Sequence, residues 1–546
     1  MIKKIKENLI LFSLFLTGFI LSFFKGTKIQ VGEDLTSSVA TFKFWETFSL
    51  NPIMADQLNA MEFFALPFYI IFGFQHSSLR LAQAFLLGLS ISLFYLFMKK
   101  VTEDRFISIF SALILSLSPY YILMKFGEYP AVGFLSTLIL LLSVLVMNKG
   151  RKAYLILLGI VSGLSFYYKI VMGPYVFCLL ASFLIFDFNR ARKGLWNVKD
   201  MTIFVAFVGL GALPLISFNA LVHPATLEVA IDGLGSTSGS LIDGVITRLI
   251  HFREIFTANP PKYYGVNSVI GDGVVVAFIF SVSYFIFTNR KRFLVYPLTA
   301  FLYFLFSTIQ LNPVEPLHLY PLIPLAVATI GLFVYSLTID FKKERQLIYA
   351  GFLLIAFFSL FNIVSVFATK NSYNFYLSDY HIGHALRGHN FDNIYLFQPQ
   401  NYAFYNSLLF TTQHKDVFSS HELLSGGNNI GHGYWAGGEV GEFKGYKIIE
   451  ANFDDVLEEA TSKNNVYIDT ELFYEPESEM RVESRKKMDS FLIGNGYKRV
   501  DITTNVIRTD QKRKYRKTHF VWIREDRQEV IEELRDDFSP DKLLTF

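Results

Sequence analysis

The chain has 546 residues, of which 52% are hydrophobic, 17% aromatic and only 18% charged, with a formal net charge of +3. A soluble protein of this size carries about 25% charged residues, so a wholly soluble chain is excluded and a membrane protein is indicated. The net charge itself says little, since its distribution matters more than the sum; no nucleic-acid partner is expected, and a single cysteine, Cys178 inside an apolar segment, excludes an intrachain disulfide. No Asn-x-Ser/Thr acceptor occurs, which favours a prokaryotic plasma membrane over a secretory pathway.

A hydrocarbon core of ~30 Å needs roughly 20 mostly apolar residues per helix. Segments that meet or approach this test are 8–24, 79–98, 106–123, 129–147, 153–171, 173–188, 201–220, 269–287, 293–309, 319–337 and 347–368. The reading is therefore a mostly α, polytopic membrane helical bundle of about eleven spans, over residues 1–369. The first segment lacks a small-x-small cleavage site and reads as a retained signal anchor.

Orientation follows from Lys and Arg in the short connections. Lys3, Lys4 and Lys6 precede the first span, and basic groups follow the second, fourth, sixth, eighth and tenth: Lys99, Lys149, Arg190, Arg290 and Lys342 with their neighbours. The alternate short connections are nearly free of Lys and Arg. The N-terminus is thus expected inside, and residues 25–78, 221–268 and everything after Lys370 outside.

Residues 61–72 are apolar but too short to span, and read as a shallow interfacial helix. Residues 221–268, with Gly233, Gly235, Gly239 and Gly244, read as a flexible lid. From residue 370 to 546 the composition is that of a soluble, extracytoplasmic α/β domain. Strands are expected at 393–397, 465–469, 497–502 and 519–523, helices at 453–462 and 479–495, and an exposed charged helix from Arg524 to Asp537.

Within this frame certain residues can carry chemistry. Gly32-Glu33-Asp34 follows the first span and places two carboxylates at the membrane surface, though a solvated loop also carries such pairs. Glu128, in Gly127-Glu128-Tyr129-Pro130, lies at a short turn on the same side; a charge at a span end can equally snorkel into headgroups. Arg80 and Lys169 lie within or at the ends of apolar spans, where ionisable groups are costly and line polar paths or pair with carboxylates. In the soluble part, His381, His384 and His389 have a metal-like spacing but read as surface histidines in a loop, since no cysteine or clear acidic partner accompanies them. The glycine-rich 426–445 stretch misses the dinucleotide fingerprint; Tyr434 and Trp435 in it are candidates for stacking on sugar.

Taken in order, several of these places resemble the GT-C glycosyltransferases, in particular the protein-mannosyltransferase and aminoarabinose-transferase branch. Gly32-Glu33-Asp34 is similar to the family's acidic pair at the start of the first outer loop. Leu79-Arg80-Leu81-Ala82-Gln83-Ala84 resembles its Arg-Leu-Pro-Ser-Ala segment, and Leu117-Ser118-Pro119-Tyr120-Tyr121 with Gly127-Glu128-Tyr129-Pro130 its Ser-Pro and Glu-x-x-x-Tyr region. Gly163-Leu164-Ser165-Phe166-Tyr167-Tyr168-Lys169 resembles its Gly-Leu-x-x-x-Thr-Lys segment, and His318-Leu319-Tyr320-Pro321-Leu322-Ile323-Pro324 its Arg-Tyr-x-x-Pro-x-x-Pro helix. The likeness covers residues 1–368 and not the outer domain. Three departures stand out: the acidic pair is reversed, His318 occupies a position where Arg is common, and Asp56-Gln57-Leu58-Asn59 stands where the family usually has His-Pro-Pro.

The resemblance implies an inverting transferase that moves a hexosyl or pentosyl group from a polyprenyl-phosphate donor to a glycan, lipid or protein acceptor of the cell envelope, as in protein glycosylation. A hydroxyl is a poor nucleophile near neutral pH, so a carboxylate must take its proton as the new bond forms. Asp34 is the first candidate for that base and Glu33 the second; which of them serves stays open because the pair is reversed. Glu128, Lys169, Arg80, His318 and Tyr320 are the candidate substrate-binding residues, the cations for the leaving phosphate. No cofactor is expected with a monophosphate donor. A diphosphate donor would bring a divalent metal, held by Asp34 and Glu128. The alternative outside enzymes is a transporter or flippase of lipid-linked saccharide.

Overall fold

Proline and small residues decide where the helices start and how closely they pack. In the computed structural model, the described residues are 2–26, 61–73, 76–123, 129–149, 151–169, 171–188, 198–221, 241–257, 269–309, 316–368, 377–397, 417–419, 458, 461–472, 479–508 and 513–535. They fall into two compact units: residues 1–26, 48–68 and 79–370, and residues 27–47, 69–78 and 371–546.

The helices in chain order are α1 (Ile2–Gly26), α2 (Met61–Phe72), α3 (His76–Thr102), α4 (Arg105–Ser116), α5 (Pro119–Leu123), α6 (Tyr129–Lys149), α7 (Lys152–Tyr168), α8 (Met172–Phe186), α9 (Val198–Gly211) and α10 (Leu213–Leu221). They continue with α11 (Leu241–Thr257), α12 (Val269–Phe287), α13 (Val295–Ile309), α14 (Leu322–Asp340) and α15 (Arg345–Ala368). Among the described residues, four helical stretches are long and apolar enough to cross a membrane: Ile5–Phe23, Ser77–Thr102, Tyr129–Asn148 and Leu322–Asp340. Five shorter apolar helices accompany them. Two expected spans are each broken in two. The 106–123 segment stops at Leu117 because Ser118 precedes Pro119, and a residue before proline is pushed out of the helical region. The 201–220 segment breaks at Ala212, just before Leu213-Pro214.

The packing of this unit is inverted relative to a soluble protein. Its exterior carries Phe177 at 71%, Phe280 at 65%, Phe287 at 87% and Leu347 at 74% exposure. Its interior holds Ser90, Ser111, Ser136, Thr137, Ser162, Thr299 and Thr329, all buried. With lipid outside, apolar side chains gain little by turning inward, so helices associate through small residues and interior hydrogen bonds. A Cβ on Gly163 would lie 2.0 Å from the Val208 carbonyl oxygen, and one on Gly211 2.2 Å from that of Ile160. α7 and α9 thus touch backbone to backbone. The helix ends that carry the basic connections are tied by carboxylates: Glu7 pairs with Lys99, Asp340 with Arg290, and Asp104, which caps α4 by accepting from Ile107 N at 3.1 Å, pairs with Arg345 at 2.8 Å.

The stretch from 221 to 268, expected to be a flexible lid, is different where it is described. Leu241–Thr257 is the helix α11, which packs against α12, α13, α5 and the turn Pro316–Leu319. Leu241-Ile242 through Thr257 carries enough apolar residues for one buried side, and Arg248 and Ile255 lie on it, 4% and 0% exposed.

The second unit contains α16 (Leu377–Leu386), α17 (Glu479–Gly494) and α18 (Gln528–Arg535) with strands β1 (Ile394–Phe397), β2 (Val417–Ser419), β3 (Val466–Leu472), β4 (Tyr497–Arg508) and β5 (Arg513–Arg524). The sheet order is β2-β1-β3-β5-β4, with β2, β1 and β3 parallel and β5 antiparallel to both its neighbours. A buried charge pair crosses its face: Arg485 Nε donates to Asp469 Oδ2 at 2.6 Å, and its guanidinium stacks 4.3 Å from the Phe520 ring. Two expectations are corrected here. The final helix is not wholly exposed, because Val530, Ile531 and Leu534 recur at helical spacing and are buried. His381 is not in a surface loop; it lies buried on α16, with its ring nitrogen 3.4 Å from the Leu534 carbonyl oxygen. The expected helix at 453–462 and the 426–445 stretch, Tyr434 and Trp435 included, lie outside the described residues save for a few positions at the end of the former.

The α7–α9 contact gives a direct test. Gly163→Val should destabilise the purified protein by ~1–3 kcal/mol through overpacking, whereas Gly209→Ala, which meets nothing within 4 Å, should be neutral or mildly stabilising. Thermal unfolding in detergent separates the two, and equal effects would contradict the packing.

Candidate functional site

Lys169 ends α7. Its backbone N–H closes the last turn on Ser165 O at 3.0 Å, and its own backbone is extended, so the side chain leaves the helix at the bundle's end. Only 6% exposed, the ammonium sits over the face of Tyr129, with Nζ 5.1 Å from the ring centroid. A desolvated cation on an aromatic face gains ~2 kcal/mol or more, part of what its burial costs. Tyr129 begins α6 and meets Tyr320 edge to face at 5.8 Å; Tyr320 in turn stacks on Tyr121 at 5.1 Å and 10°. The Tyr320 hydroxyl donates to the Tyr121 carbonyl oxygen at 2.5 Å. The Tyr121 hydroxyl reaches Ser90 and the Gly133 carbonyl, the latter at 3.0 Å. Glycine at 133 lets the rings approach closely, since a Cβ there would lie 3.0 Å from the Tyr320 ring and 3.1 Å from the Tyr121 hydroxyl. The aromatic stack is thus fixed at every ring.

The second half of the site comes from α11. Arg248 Nε donates to the Ser307 carbonyl at 2.9 Å, at the end of α13. His251 follows one turn later, and its Nδ1 is buried with no hydrogen-bond partner among the described residues. The turn Pro316–Leu319, against which α11 packs, carries His318, whose carbonyl accepts the Tyr303 hydroxyl at 2.7 Å. The His318 imidazole lies near enough to Lys169, Arg248 and His251 to feel their charges. Burial, then the charges of Lys169, Arg248 and His251, push the His318 imidazole down to about 3. Burial and Arg248 push His251 down to about 4, and burial brings Arg248 down to about 10. Near neutral pH both imidazoles are neutral and Arg248 is charged.

Lys169, Arg248, His251 and His318 therefore converge on one end of the bundle, walled by Tyr129, Tyr303 and Tyr320. Buried cations gathered in this way suit an anion with oxygen acceptors, such as a phosphate. Of the residues expected from the sequence, the structure brings together Lys169, His318 and Tyr320. Arg80 is also buried, on the first turns of α3, where Nη1 donates to Gln83 Oε1 at 3.2 Å. Glu33, Asp34 and Glu128 lie outside the described residues. Arg248 and His251 were not among the expected residues; their signal was a pair of basic side chains one turn apart on a helical stretch that also carries Asp243, Arg253 and Glu254.

Comparison with known proteins bears on this arrangement. A family profile for dolichyl-phosphate-mannose-protein mannosyltransferases matches residues 60–218. ArnT from Cupriavidus metallidurans in the apo state superposes with a TM-score of 0.58 at 11% identity, covering 98% of this chain and 99% of that one. The chain carries the GT-C fold. The same ArnT bound to undecaprenyl phosphate matches with a TM-score of 0.55 at 11% identity, over 94% of this chain and 97% of that one. A search of curated proteins finds no match by sequence. The matched 60–218 stretch runs from α2 into α10 and includes Arg80, Tyr129 and Lys169.

The depressed imidazoles predict how stability depends on pH. Between the ordinary histidine value of about 6.5 and the folded values, the unfolded chain binds protons that the folded one refuses. Stability should therefore fall as pH is lowered from about 6.5 toward 4. The His251→Asn/His318→Asn double variant should flatten that limb in thermal unfolding curves. A wild-type curve already flat over this range would contradict the burial of both rings.

Proposed function

We propose that this GT-C chain is a multi-pass membrane glycosyltransferase that moves a sugar from a polyprenyl-phosphate donor to an acceptor outside the cytoplasmic face, by an inverting mechanism. The observation that carries this reading is the convergence of Lys169 and Arg248, both buried, on one end of the bundle. Support comes from the mannosyltransferase profile over residues 60–218 and from the likeness, over 94% of this chain, to ArnT bound to undecaprenyl phosphate.

In this mechanism the acceptor hydroxyl gives its proton to an outer-loop carboxylate, Asp34 in the first place and Glu33 in the second, as it attacks the anomeric carbon. The lipid phosphate leaves with the bonding electron pair and gains one negative charge. Lys169 and Arg248 meet that charge in a desolvated setting, where fixed cations act more strongly than in water. The Tyr129–Tyr320–Tyr121 stack holds the Lys169 ammonium in place, and Arg80 and Glu128 bind elsewhere along the substrate path. With a monophosphate donor no metal is needed. The Lys/Arg pattern of the connections places the N-terminus in the cytoplasm and the sheet-bearing unit outside it.

Lys169→Met and Arg248→Ala should each weaken binding of polyprenyl phosphate about tenfold or more, as loss of a charge-assisted contact does. Asp34→Asn should lower transfer by ~10²–10⁴-fold while leaving that binding intact, and Glu33→Gln should cost about tenfold through local charge. A dead Glu33→Gln with an active Asp34→Asn would reverse the roles, and full turnover in both would refute an outer-loop base. Transfer should survive EDTA; loss restored by Mg²⁺ would favour a metal-dependent diphosphate donor. Lipid translocation without sugar transfer by the purified protein would favour a flippase.

A further inference from the structure

The functional reading leaves one half-buried group of the site unused. His251 lies on α11 one helical turn after Arg248, on a helix packed against the His318 turn, α5, α12 and α13. Its Nδ1 is removed from solvent and has no hydrogen-bond partner among the described residues. A buried polar atom without a partner costs free energy comparable to a lost hydrogen bond, and at a cluster of basic groups a bound ligand can supply the missing partner. The titratable and charged groups around it are Arg248 on its own helix and His318, with Lys169, Arg248 and His251 all acting on His318. Among the described residues these groups are all basic, which favours an acceptor that carries negative charge as the ligand for Nδ1.

We propose that His251, as a neutral imidazole protonated on Nδ1, donates a hydrogen bond to an oxygen of the lipid phosphate and thereby favours the departing phosphomonoester over the bound phosphodiester. The proposal rests on the functional reading above. The reaction balances without moving the histidine's own proton. The acceptor oxygen bonds to the anomeric carbon and its proton goes to the outer-loop carboxylate. The bond from that carbon to the phosphate oxygen breaks, and its electron pair stays on the phosphate, which passes from a monoanionic diester to a dianionic monoester. A donor aimed at that oxygen is worth more after the charge has developed than before, which is the condition for accelerating the step. The low imidazole value supports this role, since the ring stays neutral in the empty site beside two cations and offers a single N–H, whose tautomer the phosphate selects.

The test uses the full-length protein in detergent at pH 8, with direct binding of a polyprenyl monophosphate and of its methyl diester. Asn presents its amide nitrogen near the Nδ1 position and Gln near Nε2. His251→Phe and His251→Gln should weaken monoester binding about 10–100-fold and diester binding much less, while His251→Asn should keep monoester binding within about threefold of wild type. A merely structural histidine would lower both ligands together, which would overturn the proposal. It is also overturned if His251→Phe binds the monoester as wild type does, or if Gln rescues and Asn does not. Lys169→Met and Arg248→Ala are run alongside. If they weaken binding and His251→Phe does not, the histidine assignment alone fails; if neither weakens it, the phosphate reading of the whole site fails.

Discussion

Lys169 and Arg248 can stay charged inside an apolar bundle only if the surrounding protein offsets their lost hydration, and most of the site's construction serves that constraint. An ion moved from water into a low-dielectric interior costs several kcal/mol even after relaxation. Lys169 recovers part of it on the Tyr129 face, and Arg248 part from the Ser307 carbonyl. The Tyr129–Tyr320–Tyr121 stack then has to be rigid, because a cation–π contact weakens once the ring tilts. The hydroxyls of Tyr121 and Tyr320, the Ser90 hydroxyl and the bare Cα of Gly133 hold it in place.

The bundle that carries this site is held by means suited to lipid rather than water. Apolar residues cover its outside, so cohesion comes from close backbone approach at Gly163 and Gly211, from interior hydroxyls, and from ion pairs at helix ends. Proline at the start of helices fixes where helical segments begin: Pro119 opens α5, Pro130 is the second residue of α6, and Pro214 the second of α10. Gly163 links the two layers of the argument. Six residues before Lys169, it sets α7 against α9 and so fixes the direction in which α7 delivers its terminal cation.

Much of this was legible in the sequence, for physical reasons that can be named. The apolar segments had to be helices, since a backbone in lipid has no other way to satisfy its hydrogen bonds individually. Lys169 stood out because a charge at the end of an apolar run needs an explanation, and the same logic found Arg80. Tyr320 and His318 were placed only through the family likeness. The interior contacts were not legible. Ser118-Pro119 and Leu213-Pro214 cut two spans that hydropathy alone runs together. Arg248 and His251 escaped notice because the glycines at 233–244 gave their surroundings the look of a mobile loop, whereas the helical stretch that follows has a buried side of its own. Whether that side finds a partner depends on tertiary contacts with α5, α12 and α13, which periodicity in one segment does not contain.

The central claim is that the anion drawn to this end of the bundle is a lipid phosphate. A cryo-EM structure of the full-length protein with a bound polyprenyl monophosphate tests it most directly. The account predicts phosphate density within hydrogen-bond reach of both Lys169 and Arg248, with the prenyl chain leaving between helices toward lipid. Phosphate density beside Arg80 or at the opposite end of the bundle, with Lys169 and Arg248 unengaged, would contradict it.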